Sequence, residues 1–186
     1  LWLIDVENGC LVPAPPEAKY VALSYVWGCD SASSRTTNET IGQLQQPNGL
    51  YGSTVTLPRT IMDAIKLVRR VGERYLWCDR FCIIQDESVV KQCQLNAMGN
   101  IYAGAYFTLI AAQSDDASGG LYRETLMLRV CPPLTSSPGM SSKQTLLDQA
   151  MHLMRTKWYS RGWTFQEYLF SKRRVVFHND TVNWEC

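Results

Sequence analysis

Tyr20-Val21-Ala22-Leu23-Ser24-Tyr25-Val26-Trp27-Gly28 decides how this chain is read. Its first six residues are compact and apolar without strict alternation, and a glycine closes the run. That is the pattern of a strand buried on both faces and ending in a turn. Phe107–Ala112 repeats it, and Tyr75–Asp79 is a shorter version. Between them lie helical signatures. In Leu57–Val71, Ile61, Ile65, Val68 and Val71 recur at helical spacing, Pro58 suits the first turn and Gly72 follows the end. Ser88–Gly104 reads as one further helix, with Cys93, Ala97, Met98, Ile101 and Ala105 inward. Ser160–Phe170 reads as another, and Lys143–Met154 has helical character. Arg174–His178 and Thr181–Glu185 read as two strands joined at Asn179-Asp180. Leu1–Val12 reads as an N-terminal hairpin, with Asn8-Gly9 supplying the positive φ angles of a tight turn.

Strands alternating with helices predict an α/β domain with a mostly parallel sheet, helices on both faces and a flavodoxin-like arrangement. Residues 29–56 are polar and read as a long surface loop; 123–157, with Pro132, Pro133 and Pro138, are the least legible. The whole of 1–186 is read as one domain, with 29–56 and 123–157 as variable insertions.

Composition narrows the class. The chain is 46% hydrophobic and 19% charged with a formal net charge of +1, which fits a globular domain and gives no field favouring nucleic acid or a membrane surface. No apolar run is long enough to span a bilayer. Seven cysteines at irregular spacing, no C-x-x-C pair and only His152 and His178 predict reduced, mostly buried thiols, no metal site and a cytoplasmic location. The chain lacks an initial Met and stops inside a strand-like run, so it is expected to belong to a longer one.

In an open α/β sheet, ligands bind beyond the carboxyl ends of the strands. Those ends deliver Ser24, Tyr25, Trp27 and Gly28, then Asp79 and Arg80, then Ser114, Asp115 and Asp116. Asp115 and Asp116 read as turn caps; Asp79 serves either binding or a structural ion pair. In Arg161-Gly162-Trp163-Thr164-Phe165-Gln166-Glu167, helical spacing sets Trp163 and Glu167 on one face. One reading is a pocket in which the indole packs a ring and the carboxylate holds a cation. The other is a core tryptophan with Glu167 paired to Arg161, Lys172 or Arg173, and spacing alone favours it. Walker, dinucleotide-binding G-x-G-x-x-G and G-x-S-x-G motifs are missing, which argues against nucleotide triphosphatase, ordinary dehydrogenase and serine-hydrolase readings.

Three blocks resemble the fungal HET (heterokaryon incompatibility) domain: Tyr20–Gly28; Leu57-Pro58-Arg59-Thr60-Ile61 continuing through Tyr75–Asp86 to Met98, Ile101-Tyr102 and Ala105; and Arg161–Glu167. The family's second block usually has a plain aliphatic where Cys78 stands and a Leu where Phe81 stands. The resemblance implies cell-death signalling in fungal self/non-self recognition, with self-association or other HET or TIR-like domains as partners. It also implies a distant TIR-like relationship, carried by Ala22-Leu23-Ser24-Tyr25 and by Trp163 with Glu167 four residues on, after Ser160. On that relationship NAD+ is the substrate rather than a cofactor. Glu167 is then catalytic, Trp163 packs against a substrate ring, and Ser24, Tyr25, Trp27 and Asp79 bind substrate. A non-catalytic interaction module is the alternative the same resemblance allows.

Overall fold

The structure, a computed structural model, describes residues 1–28, 35–122 and 142–186, with only the backbone of 142–147. The expected loop around Pro132, Pro133 and Pro138 lies outside the described residues, as do Cys29 and Cys131. Among the described residues seven strands form one sheet: β1 (Trp2–Asp5), β2 (Cys10–Pro13), β3 (Tyr20–Tyr25), β4 (Tyr75–Trp77), β5 (Phe107–Ala111), β6 (Arg174–His178) and β7 (Thr181–Glu185). Their spatial order is β2-β1-β4-β3-β5-β6-β7. The central four, β4-β3-β5-β6, are parallel. They are flanked by antiparallel strands, β1 and β2 on one side and β7 on the other. The sheet is therefore mixed rather than mostly parallel, because both chain-terminal hairpins add to its edges. Numbered among themselves, the parallel strands run 2-1-3-4. The likeness to a flavodoxin-like arrangement extends to that order and no further.

β3 and β5 are buried at every position, as their unbroken apolar runs require. Helices cover both faces. On one, α2 (Arg59–Arg70) buries Ile61, Ala64, Ile65 and Val68 against β3 and β4. Val71 ends the helix as its C-cap and is exposed, against expectation. On the other face α5 (Met98–Gly104) and α7 (Thr164–Phe170) pack together. Tyr20 of β3 donates to the Ile101 carbonyl there at 2.6 Å, Trp77 meets the Tyr102 ring, and Thr108 bonds Ser171. A second, smaller core of Ile110, Val176, Leu153 and Trp158 continues this face beneath α6 (Ser142–Met154), which fulfils the expected Lys143–Met154 helix.

Three local expectations are corrected. The N-terminal hairpin turns through four residues, Val6–Gly9, of which only Gly9 has positive φ. Val6 is pulled into the core, and Asp5 Oδ1 accepts the amides of Glu7 and Asn8 in place of a two-residue turn. The primed turn is instead at Asn179-Asp180, with φ of 48° and 53°. The polar stretch 29–56 is not purely a surface loop. Within it α1 (Ile41–Leu44) buries Leu44, a 3₁₀ turn at Gly49–Tyr51 buries Leu50, whose N–H bonds the Gly9 carbonyl, and Val55 beyond the turn is also buried. Finally, Ser88–Gly104 breaks at Ala97 into α4 (Ser88–Asn96) and α5. α4 buries no residue and Cys93 is exposed; α5 turns to follow α7, where Gly99 lies against Phe170. No helix among the described residues is long and apolar enough to cross a membrane.

Candidate functional site

The strand order reverses at β3, so a crevice opens beyond the carboxyl ends of β3 and its neighbours. The chain fills it with polar side chains from four segments. β3 ends in Ser24 and Tyr25, and Trp27 follows. β4 runs into the short helix α3 (Asp79–Cys82), with Cys78 extended before it, so Asp79 stands in the first helical turn. The turn before α7 brings Trp158 and Arg161, and the first turn of α7 brings Glu167.

Glu167 is 1% exposed. Its Oε2 accepts the Ser24 hydroxyl, and its Oε1 accepts Arg161 Nη2 at 3.0 Å. Trp158 Nε1 donates to Ser24 Oγ at 2.7 Å. The indole thus occupies an acceptor position of the hydroxyl, and the single hydroxyl proton is directed at the carboxylate. Arg161 also donates to the Tyr25 carbonyl, which ties the ion pair to the strand end. Burial pushes the Glu167 carboxyl above its ordinary range, and nearby Asp79 adds to this; Arg161 and the Ser24 hydroxyl oppose it.

Asp79 is built similarly. Trp27 Nε1 donates to its Oδ2 at 2.7 Å and the Arg80 amide to its Oδ1 at 2.7 Å. Burial raises its pKa, opposed by the Trp27 N–H and the field of Arg161. Arg80 is 2% exposed. It lies over the Trp27 ring, 4.6 Å from the centroid, and donates to the Trp27 carbonyl at 2.9 Å. The ring plane of Trp27 is therefore fixed by a cation on its face and a carboxylate at its edge.

Trp27, Asp79, Arg161, Trp163 and Glu167 border one hollow of about 340 Å³. Its remaining wall comes from the α3–α4 connection and from Lys91, Leu95 and Met98. At the low end of the range for small-molecule sites, it suits one ring and a sugar rather than a whole dinucleotide.

The sequence-predicted residues fall into three groups. Trp27, Asp79, Trp163 and Glu167 border the hollow. Ser24 is buried and reaches it only through Glu167. Tyr25 does not border it: its ring is 2% exposed, the Cys78 thiol donates to its hydroxyl at 3.6 Å, and only its carbonyl faces the site. Trp163 is the N-cap of α7, so the helix begins later than Ser160. The i, i+4 relation to Glu167 is kept in the backbone, but the indole turns outward and is 47% exposed. The two open readings of this segment combine. Glu167 is paired to Arg161, yet the pair sits on a hollow, and the core tryptophan is Trp158. Asp115 is exposed and Asp116 caps Ser118, so neither reaches the hollow. No cluster of three or more His, Cys, Asp or Glu able to hold a metal occurs among the described residues.

Residues 20–167 match the family model described as heterokaryon incompatibility protein (HET). The chain belongs to the HET family. The matched span opens on the first residue of β3 and closes on Glu167 itself, so it encloses every residue of the site. A curated HET relative, heterokaryon incompatibility protein 6, OR allele, from Neurospora crassa, is 32% identical over 109 residues, covering 54% of this chain. The chain spans only 15% of that relative. No solved structure matches this HET chain.

Proposed function

We propose that this HET domain acts in heterokaryon incompatibility, triggering cell death after self/non-self recognition, and that it does so by cleaving NAD+ at the nicotinamide–ribose bond. The observation that carries the reading is Glu167: a buried carboxylate, oriented by Ser24 and Arg161, bordering a hollow walled by Trp27 and Trp163. The buried, free thiols of Cys10, Cys78 and Cys82 accord with a cytoplasmic site of action.

One carboxylate suffices for this chemistry. Ordinary glycosidases use two carboxyl groups, one to protonate a poor leaving group. The pyridinium of NAD+ takes the bonding electron pair with it and departs as neutral nicotinamide, so no general acid is required. The anion of Glu167 stabilises the positive charge that develops at the ribose. A carboxylate offers about four acceptor positions and this one uses two, leaving room for ribose hydroxyls. Water adds to the anomeric carbon and its proton goes to solvent, giving ADP-ribose and nicotinamide. Trp27, held rigid by Arg80 and Asp79, and Trp163 supply ring-packing surfaces.

The test is nicotinamide release from NAD+ by artificially clustered protein, since self-association is the expected trigger. Glu167→Gln is expected to abolish release while preserving the fold. Full activity in that variant excludes Glu167 as the catalytic group. A second reading, a non-catalytic interaction module, is favoured by exposed apolar residues on edge strand β7, Val182 and Trp184. Unchanged NAD+ under clustering selects it.

A further inference from the structure

We infer that the hollow contains an anion subsite at Lys91, so that its ligand is a nucleotide carrying a phosphate rather than a neutral or purely cationic nucleoside; this rests on the NAD+ reading. Lys91 and Leu95, one turn apart on α4, face the hollow together with Met98 at the start of α5. The two apolar side chains are ordinary wall. The lysine beside them is not, because its ammonium has no hydrogen bond or ion pair with any described residue. Every other charged group bordering the hollow is engaged. Arg161 is paired with Glu167, and Asp79 accepts the Trp27 and Arg80 N–H groups. The Arg161–Glu167 pair sums to no net charge, and the charge of Asp79 is met by the neighbouring buried guanidinium of Arg80. Lys91 is thus the unmatched charge of the cavity.

That sign selects the ligand. A lone pyridinium nucleoside placed against Trp27 and Glu167 would bring a second cation into a space that already holds one. A pyridinium nucleotide carries its own anion and meets Lys91 with it, so both ends of the ligand are matched. Lysine serves as a point-charge phosphate binder, and the hollow is too small to take the second nucleoside of a dinucleotide. The phosphate next to the nicotinamide ribose lies at Lys91, and the rest of the ligand continues outward past α4.

The experiment compares NAD+ with nicotinamide riboside, which has the same scissile bond and leaving group but no phosphate. Lys91 is half-buried on a helix that buries no residue, so its variants leave the core untouched. With the clustered full chain, Lys91→Ala is expected to raise KM for NAD+ roughly ten-fold or more. kcat stays near the parent value, and kcat/KM for the riboside is unchanged. Lys91→Arg is expected to retain most of the NAD+ affinity and Lys91→Glu to lose more than Lys91→Ala. Equal losses on both substrates, or an unaltered KM for NAD+, overturn the subsite. If the parent releases nicotinamide from neither substrate, the cleavage reading fails by itself. The subsite is then decided by quenching of tryptophan fluorescence on adding ADP-ribose. Quenching by the parent that Lys91→Ala abolishes upholds the subsite; equal quenching by both, or none by the parent, removes it.

Discussion

Removing the Arg161 guanidinium while leaving Glu167 in place isolates a carboxylate that is 2% exposed. If that group stayed charged, the loss would be about 3–5 kcal/mol, the usual cost of breaking a buried ion pair from one side. It escapes part of this cost by holding a proton. In the folded chain its pKa is already raised by burial, and without Arg161 it rises further. A carboxyl whose folded pKa lies above its unfolded value contributes stability at low pH. That contribution disappears as pH climbs from the unfolded value through the folded one, at up to about 1.4 kcal/mol per pH unit. The parent shares the sign, but over a narrower window, because Arg161 and Ser24 hold its pKa down. Arg161→Met also loses the bond to the Tyr25 carbonyl, a pH-independent loss of about 1 kcal/mol. The variant should therefore sit about 1 kcal/mol below the parent near the unfolded carboxyl value of 4.5, and about 3 kcal/mol or more below it in mildly alkaline buffer. Arg161→Met combined with Glu167→Gln removes both charges. It should show no such widening and should be more stable than Arg161→Met alone in alkaline buffer. Urea unfolding followed by tryptophan fluorescence across that range measures all three. A gap between Arg161→Met and the parent that is constant with pH, or a double variant no better than the single one, would refute the account of Glu167 as a buried, charge-compensated carboxylate.

Leu50 is 1% exposed in a segment whose composition reads as loop, so Leu50→Ala is expected to cost about 2–5 kcal/mol by urea unfolding, where a surface position would cost under about 0.5 kcal/mol. Gly28 has φ +76° and a Cβ there would lie 2.4 Å from Asp116 Cβ, so Gly28→Ala should lose about 1–3 kcal/mol. Gly42→Ala, in helix α1 with open space around it, should be neutral or stabilising by up to about 1 kcal/mol in the same assay. Burial lifts the Cys78 thiol to about 12, and Cys10 and Cys82 are likewise buried. Alkylation of the native protein, mapped by mass spectrometry, should therefore mark Cys93 and Cys186 and spare these three until the chain unfolds. Labelling of native Cys78 at the rate of Cys93 would contradict its placement.

The parallel centre of the fold is legible because strands buried on both faces need apolar side chains at successive positions, and Tyr20–Tyr25 and Phe107–Ala111 supply them. The antiparallel flanks were legible as hairpins but not as extensions of the same sheet. Hairpin patterns specify their own turn, not which edge they join. Asn179-Asp180 became the primed turn because its neighbours His178 and Thr181 pair directly. At Asn8-Gly9 a tertiary demand won: Val6 had an apolar core to enter, and Asp5 could satisfy the amides left behind. The core contribution of 29–56 was hidden for a statistical reason. Leu44 and Leu50 stand among mostly polar residues, and no period links the two. They are buried because the turn that carries them docks on the hairpin, a contact remote in sequence.

The site shows where local spacing stops being informative. The four-residue spacing from Trp163 to Glu167 correctly places the two on one helical turn, yet spacing cannot say where the helix starts. Because α7 begins at Thr164, Trp163 lies at its open end, where its indole is half exposed and borders the hollow. Trp158 stands before the helix, where no periodicity applies, and its place is set by Thr164, whose hydroxyl bonds the Trp158 carbonyl and folds the intervening turn back on itself. That fold-back delivers an indole N–H to Ser24 and a guanidinium to Glu167 from the same turn. A carboxylate buried this deeply stays ionised only if its donors arrive with it, so the turn between Trp158 and Trp163 is as much a part of the site as Glu167. Trp158→Phe tests this: it keeps the ring but removes the N–H that orients the Ser24 hydroxyl. The acidic limb of the nicotinamide-release profile should then move to higher pH, because Glu167 has lost the enforced donor that lowers its pKa, and an unmoved profile would reduce Trp158 to packing alone.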